Sequence, residues 1–270
     1  TVNQNPVLKK AGVVDAGGKG FLIILQGMLD QLQGKPIPEL SEEEPEEEKA
    51  DFGKLKLDEC FLDIGAGDEA AAKQLVQVGD SAVYDAPAFR TGDLVVSPYL
   101  DDRISCAVLL SALERIGECP NDLYLVFTAQ EEVGLRGART AAWSIAPDYA
   151  VAVDVTDVDD TPGSERAGTA RLGRGAAVKV MDSSVICHPA MVALLEDTAR
   201  EGDIPVQRDI MRAGGTDAGA IHLTRTGVIT GGISVPCRYI HTPAETASLS
   251  DADACVRLAA ALAQRPLEQP

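Results

Sequence analysis

The sequence predicts an α/β fold: a mostly parallel sheet flanked by helices, with a partial β-rich insert and a short N-terminal helical segment. Two observations carry that prediction. Short apolar runs such as LVV (94–96), LYLVF (123–127) and AVAV (150–153) have the length of buried strands, and they alternate with segments that are apolar at helical spacing. Strands that are apolar on successive residues are covered on both faces, the condition of a parallel sheet clothed by helices.

Taken in order, AGVVDAGGKG (11–20) is a glycine-rich turn, and FLIILQGMLDQLQG after it reads as a helix. The chain then leaves through KPIPEL into SEEEPEEEKAD (41–51). That run holds seven of the 42 acidic residues and reads as a solvated linker. From Lys54 onward, KLKLDECFLDIGA reads as strand and turn, DEAAAKQLVQ as a short helix, and AVYDAPAFRTGDLVVSPYL as β-rich with turns at Pro87 and Gly92. RISCAVLLSALERIG is a helix stopped at Gly117, DLYLVFTAQ a strand, LRGARTAAWSI a helix and YAVAVDV a strand. AMVALLEDTAREG is a helix ended by Gly202, TGVITGGISV a strand, and ADACVRLAAALAQ the last helix. The expected organisation at this level is a helical segment over 1–40, a linker over 41–53 and, from Lys54 onward, strands alternating with helices.

Composition narrows the function classes. The 270 residues carry a net charge of −18, a surface that repels phosphate backbones and argues against nucleic-acid binding. No apolar stretch approaches membrane-spanning length and no signal peptide is visible, which points to the cytoplasm. The six cysteines are scattered without paired spacing, as reduced thiols rather than a disulfide framework.

In open α/β sheets, function collects beyond the carboxyl ends of the strands. On that rule the polar clusters fall in one region. LVV leads to Asp101 and Asp102, LYLVF to Glu131 and Glu132, AVAV to Asp154, and ITGGISV to Arg238 and His241. Carboxylates gathered in one cleft repel each other, and divalent cations relieve that repulsion. A mixed Asp/Glu/His set suits zinc, cobalt or manganese better than calcium or a thiolate site. Consecutive side chains in extended backbone point to different sides, so Glu131 and Glu132 can take two roles, one toward a metal and one toward substrate. His188 and His222 read as structural.

YLDDR, FTAQEEVGLRGA, PDYAVAVDVTDVDDTPG, GGTDAGAIH and PCRYIHTPAE, in this order, closely resemble the dinuclear-metal tetrahedral aminopeptidases. This is the glutamyl/leucyl aminopeptidase group, some members of which are labelled endoglucanase or cellulase M. The resemblance covers about Lys54 to Gln264 and implies a zinc-peptidase-like fold. It also implies that Asp101 bridges two metals with Asp102 supporting it, that Glu132 and His241 bind one metal, and that Asp154 binds the other. By the same resemblance Glu131 is the general base, Gly215, Thr216 and Asp217 lie in the loop near bound substrate, and Arg238 supports the His241 turn. The implied reaction is removal of the N-terminal residue from short peptides, by a homo-oligomer using two divalent ions. A β-rich dimerisation domain over 54–97 and a catalytic domain over 98–270 follow from the same likeness.

The sequence also departs from that pattern. The group's remaining metal ligand is a histidine in an upstream His-x-Asp motif, and no histidine precedes His188 here. The resemblance therefore implies a catalytic domain without its N-terminal part and an impaired second metal site. Residues 1–52, with NPVLKKAGVVDAGGKGFLIILQGML, resemble the end of a DAK2-type kinase domain, which implies a fusion or truncation joining near Phe52-Gly53. Three alternatives to catalysis by peptidase chemistry follow: a non-catalytic remnant that binds one metal or assembles with intact subunits, a phosphotransferase acting through VDAGG, and a glycan hydrolase, which needs two carboxylates across a sugar bond without metal.

Overall fold

A computed structural model describes residues 60–158, 160–161 and 168–268. The predicted N-terminal helix, the acidic linker and the start of the first predicted strand lie outside the described residues. The chain divides into two compact units, Thr1–Asp80 and Ser81–Pro270.

In the first unit, α1 (Glu69–Leu75) forms where DEAAAKQLVQ predicts a helix. Asp68 caps it by accepting from Ala71 N at 2.8 Å. None of its residues is buried, so local capping rather than packing supports it. Residues 60–67 contain no strand; Asp63 accepts from Gly65 N at 2.8 Å in a turn where Gly65 has φ +75°.

In the second unit a hairpin, β1 (Phe89–Thr91) and β2 (Leu94–Val96), turns at Gly92 (φ +60°) and leads into α2 (Leu100–Arg115). Then come α3 (Arg136–Ile145), β3 (Tyr149–Asp157), β4 (Ala176–Met181), α4 (Pro189–Glu201) and β5 (Val206–Ile210). A short α5 (Ala218–Ile221), β6 (Ile229–Arg238), β7 (Thr246–Ser248) and α6 (Leu249–Ala263) complete the order. The seven strands form one sheet organised on β6. β3 runs parallel along the whole of β6; on the other side β4 pairs with its middle and β7 with its end, both antiparallel.

The sheet is mixed: β3–β6 and β4–β5 are parallel, and the remaining pairings are antiparallel. Alternating strands and helices account for the parallel pairs. β4 is instead reached by the long excursion after β3, which returns the chain in the opposite direction.

Val151, Val153 and Val155 on one side of β3 join the main core, with Val108 of α2, Met191 and Leu195 of α4, Ile233 and Val235 of β6, and Leu258 of α6. Ala152 faces the other way, against Val185, Cys187 and Ala218. Gly231 is required for α4 to seat on β6, because a Cβ there would lie 2.4 Å from Met191 Cγ. No disulfide forms among the cysteines, and no helix among the described residues is long and apolar enough to cross a membrane.

One predicted strand is corrected. DLYLVFTAQ forms no strand and pairs with none among the described residues, and Leu123, Tyr124, Val126 and Phe127 are exposed. A cavity of about 860 Å³, walled by α2, α3 and residues 150–154, lies beside it. A strand needs a neighbour at hydrogen-bonding distance, which an apolar run does not itself encode.

Leu195 is fully buried in the main core. Leu195→Ala is expected to cost about 2–5 kcal/mol in urea unfolding of the metal-free chain; a loss well under about 1 kcal/mol would show that this cluster is not the stabilising core.

Candidate functional site

Four chain segments deliver the candidate residues. β2 runs through Ser97 to Tyr99, whose φ of +61° turns the chain into α2, so Asp101 and Asp102 sit at the helix start with non-helical φ/ψ. The Asp101–Asp102 peptide is cis. Glu131 and Glu132 lie in a tight turn: Gly134 N and Leu135 N both donate to Glu131 O, at 3.0 and 2.9 Å. Gly137 lets α3 close against the approach to that turn, because a Cβ there would stand 2.5 Å from Ala129 N. Asp154 lies in β3, its Oδ1 accepting from Val155 N at 2.7 Å. His241 follows β6 with φ +64°.

These residues converge. His241 Nε2 lies 3.0 Å from Asp101 Oδ2 and 3.2 Å from Glu132 Oε2. Asp101, Glu132 and His241 each offer a ligand atom within 4.8 Å of the others, and so do Asp101, Asp102 and Asp154. Asp101 belongs to both groups.

The electrostatics are severe. Burial, and then Glu132, pushes Asp101 up to about 6; burial, and then Asp154, pushes Asp102 up to about 9. Burial and Asp101 raise Asp154 to about 8, while burial, Asp217 and Glu132 raise Glu131 to about 7. No lysine or arginine among the described residues makes an ion pair with these carboxylates. Asp102 Oδ1 is buried without a hydrogen-bond partner. A dense set of carboxylates with one imidazole, an orphaned oxygen and, among the described residues, no Lys or Arg ion-paired to it (Lys179 only offsets the rise at Asp154 through space) fits divalent metal ions.

The residue that sequence reasoning missed is Glu245. Its side chain is buried; Oε2 accepts from Asp101 N at 2.9 Å and Oε1 from His241 N at 2.8 Å. One carboxylate thereby ties together two segments of the site that are 140 positions apart in the chain. Its placement four residues after His241 was the available signal. Thr128, also missed, donates from Oγ1 to Asp217 Oδ2 at 2.6 Å, leaving Asp217 Oδ1 buried and unpartnered.

The GGTDAG loop divides. Asp217 faces the Glu131 region, whereas Thr216 is buried and donates to Asp182 Oδ2 at 3.1 Å, and a Cβ on Gly215 would meet Ser184 Cβ at 3.0 Å. Thr216 and Gly215 thus lock the loop onto the turn after β4. Arg238 Nε donates to Asp160 Oδ1 at 2.5 Å instead of the His241 turn. His188 caps α4, its Nδ1 accepting from Ala190 N at 3.2 Å, and His222 Nδ1 stays 2.9 Å from Ala218 O; both make local backbone contacts.

A model of the M42 glutamyl aminopeptidase family matches residues 36–258. A putative aminopeptidase of Acetivibrio thermocellus is 48% identical over 213 residues, 79% of this chain and 64% of that protein. The solved aminopeptidase APDkam598 of the archaeon Desulfurococcus kamchatkensis is 40% identical with a TM-score of 0.75, over 78% of this chain and 61% of that one. The TET1 peptidase of Pyrococcus horikoshii, which can assemble into a tetrahedron or a large octahedral shell, is 32% identical with a TM-score of 0.63, over 74% of this chain and 59% of that one. The chain thus spans somewhat under two thirds of the length of these relatives.

Two predictions follow from the geometry. The raised carboxyl values, about 6 to 9, exceed the value near 4 of unfolded carboxylates, so between these limits the metal-free fold binds more protons than the unfolded chain. Its stability therefore falls as pH rises through that window. In chelator, the urea midpoint should be lower at about pH 8 than at about pH 5; an equal or higher midpoint contradicts the arrangement. Separately, Glu245→Gln removes a charged acceptor and is expected to cost about 1.5–3 kcal/mol of stability and to weaken zinc binding; unaltered zinc affinity would show that Glu245 does not position the site.

Proposed function

Since the chain belongs to the M42 glutamyl aminopeptidase family, we propose that it is a metal-dependent aminopeptidase that removes N-terminal residues from short peptides. The single observation that carries this reading is the sharing of Asp101 between two ligand groups, Asp101–Glu132–His241 and Asp101–Asp102–Asp154. In this reading Asp101 would serve both of two divalent ions, with Glu132 and His241 holding one and Asp154, with Asp102 close by, holding the other. Zinc, cobalt and manganese match these donors. Such ions, when bound, polarise the scissile carbonyl and acidify the attacking water.

The chain's own residues do the rest. Glu131 stands beside both groups; in the metal-free chain burial, Asp217 and Glu132 raise its carboxyl to about 7, and beside bound cations it would return toward the charged, proton-accepting form. It takes the proton of the attacking water and returns it to the leaving amine. Asp217, with one oxygen fixed by Thr128, lies beside Glu131 and supports substrate binding. Glu245 keeps Asp101 and His241 in register. The assembling relative supports a homo-oligomer for this chain as well.

A second reading has one observation in its favour: among the described residues the Asp101–Asp102–Asp154 group contains no nitrogen ligand. A remnant that binds one ion, or that assembles with complete subunits, is consistent with that group. Two ions per chain together with turnover exclude it.

With an aminoacyl-anilide and added zinc, cobalt or manganese, the chain should release anilide. Glu131→Gln should lower the rate by about 10²- to 10⁴-fold with metal still bound, whereas His241→Ala should lower metal affinity itself. No turnover in the parent with any of the three metals would sink the catalytic reading.

A further inference from the structure

Lys179 is the largest fully buried side chain among the described residues, and the proposed chemistry does not use it. Its Nζ donates to Asp209 Oδ2 at 2.6 Å and to Thr156 Oγ1 at 3.4 Å, and Thr156 Oγ1 donates to the same carboxylate oxygen at 2.8 Å. All three residues are 0% exposed. The network spans the sheet from β5 through β4 to β3. Glycine makes the crossing possible: Lys179 stands opposite Gly232 of β6, which stands opposite Ala152 of β3. A Cβ on Gly232 would lie 3.0 Å from Lys179 Cβ and 3.6 Å from its Cδ, in the path of the lysine stem.

Thr156 is two residues beyond Asp154, on the same face of β3. Asp154 accepts one hydrogen bond, from the N–H of its neighbour Val155, so its side chain stands where the β3 backbone puts it. Stability alone does not account for the lysine. Exchanging a buried ion pair for apolar residues of similar size is often neutral or favourable, and in some proteins such a pair is kept because it fixes a position.

We propose that Lys179 is a positioning residue for Asp154: with Asp209 it pins the carboxyl end of β3 through Thr156, and so holds Asp154 in the Asp101–Asp102–Asp154 group. The proposal rests on the metal reading above. Lys179→Met alone strands a buried carboxylate and is expected to unfold the protein in part, so the test uses Lys179→Met/Asp209→Leu. Cobalt(II) is titrated into the metal-free chain and followed by visible absorption, with melting temperature measured alongside and His241→Ala used to tell the two sites apart. The double variant should melt close to the parent and bind the ion at Glu132 and His241 with parental affinity, while the ion at Asp154 binds at least about tenfold more weakly, the factor that about 1.4 kcal/mol represents. Parental affinity at both sites, or loss of both sites together with the melting transition, overturns the proposal. A parent chain that takes up no cobalt overturns the metal reading itself, a distinguishable result.

Discussion

The backbone N–H groups of Asp101 and His241 both point at the carboxylate of Glu245, buried between the start of α2 and the turn after β6. Each N–H belongs to a residue in strained or non-helical backbone, Asp101 at the irregular helix start and His241 at φ +64°. Neither conformation is held by a regular ladder or helix, so the shared acceptor substitutes for one. Because Glu245 also leads directly into β7, which pairs with β2 and β6, the site is fastened to the sheet by the element that closes it. The same anchorage brings the His241 imidazole within 3.0 Å of Asp101.

From that geometry comes an imbalance of charge. Glu245 adds a further anion to a cleft already containing Asp101, Asp102, Glu131, Glu132 and Asp154, and it raises Asp101 further. A protein has two ways to carry such a cluster: protonate it or fill it with cations. Protonation would silence Glu131 as a base and leave the orphaned oxygen of Asp102 unexplained. Divalent ions answer both. The buried ammonium of Lys179 lowers Asp154 only in part, and because it is committed to Asp209 it ties strands of the sheet together more than it neutralises the cleft.

How much of this could be read from the residues depends on what each residue does. Asp101, Glu131, Glu132, Asp154 and His241 were legible because charged side chains at the ends of apolar strands have few reasons to be there, and the structure brings all five together. Glu245 is far less so: its place four residues after His241 is the one mark, and its partners are main-chain N–H groups, which every residue has. Lys179 and Asp209 were hidden for a related reason: they sit inside strand sequences, AAVKVM and VQRDI, whose charges suggest exposed edges rather than a pair at 0% exposure. The helices were legible from periodicity and from stops such as Gly202. β4, β5 and β7 carry no such mark, and 123–127 has a strand's composition yet no partner among the described residues; in each case the deciding quantity is what lies alongside, not the segment's own composition.

The most direct measurement of the central claim is anomalous diffraction from crystals of the chain grown with manganese or cobalt. The account predicts two peaks, both within bonding distance of Asp101, one shared with Glu132 and His241 and the other with Asp154. Crystals grown with either metal that show no peak at Asp101 would contradict it.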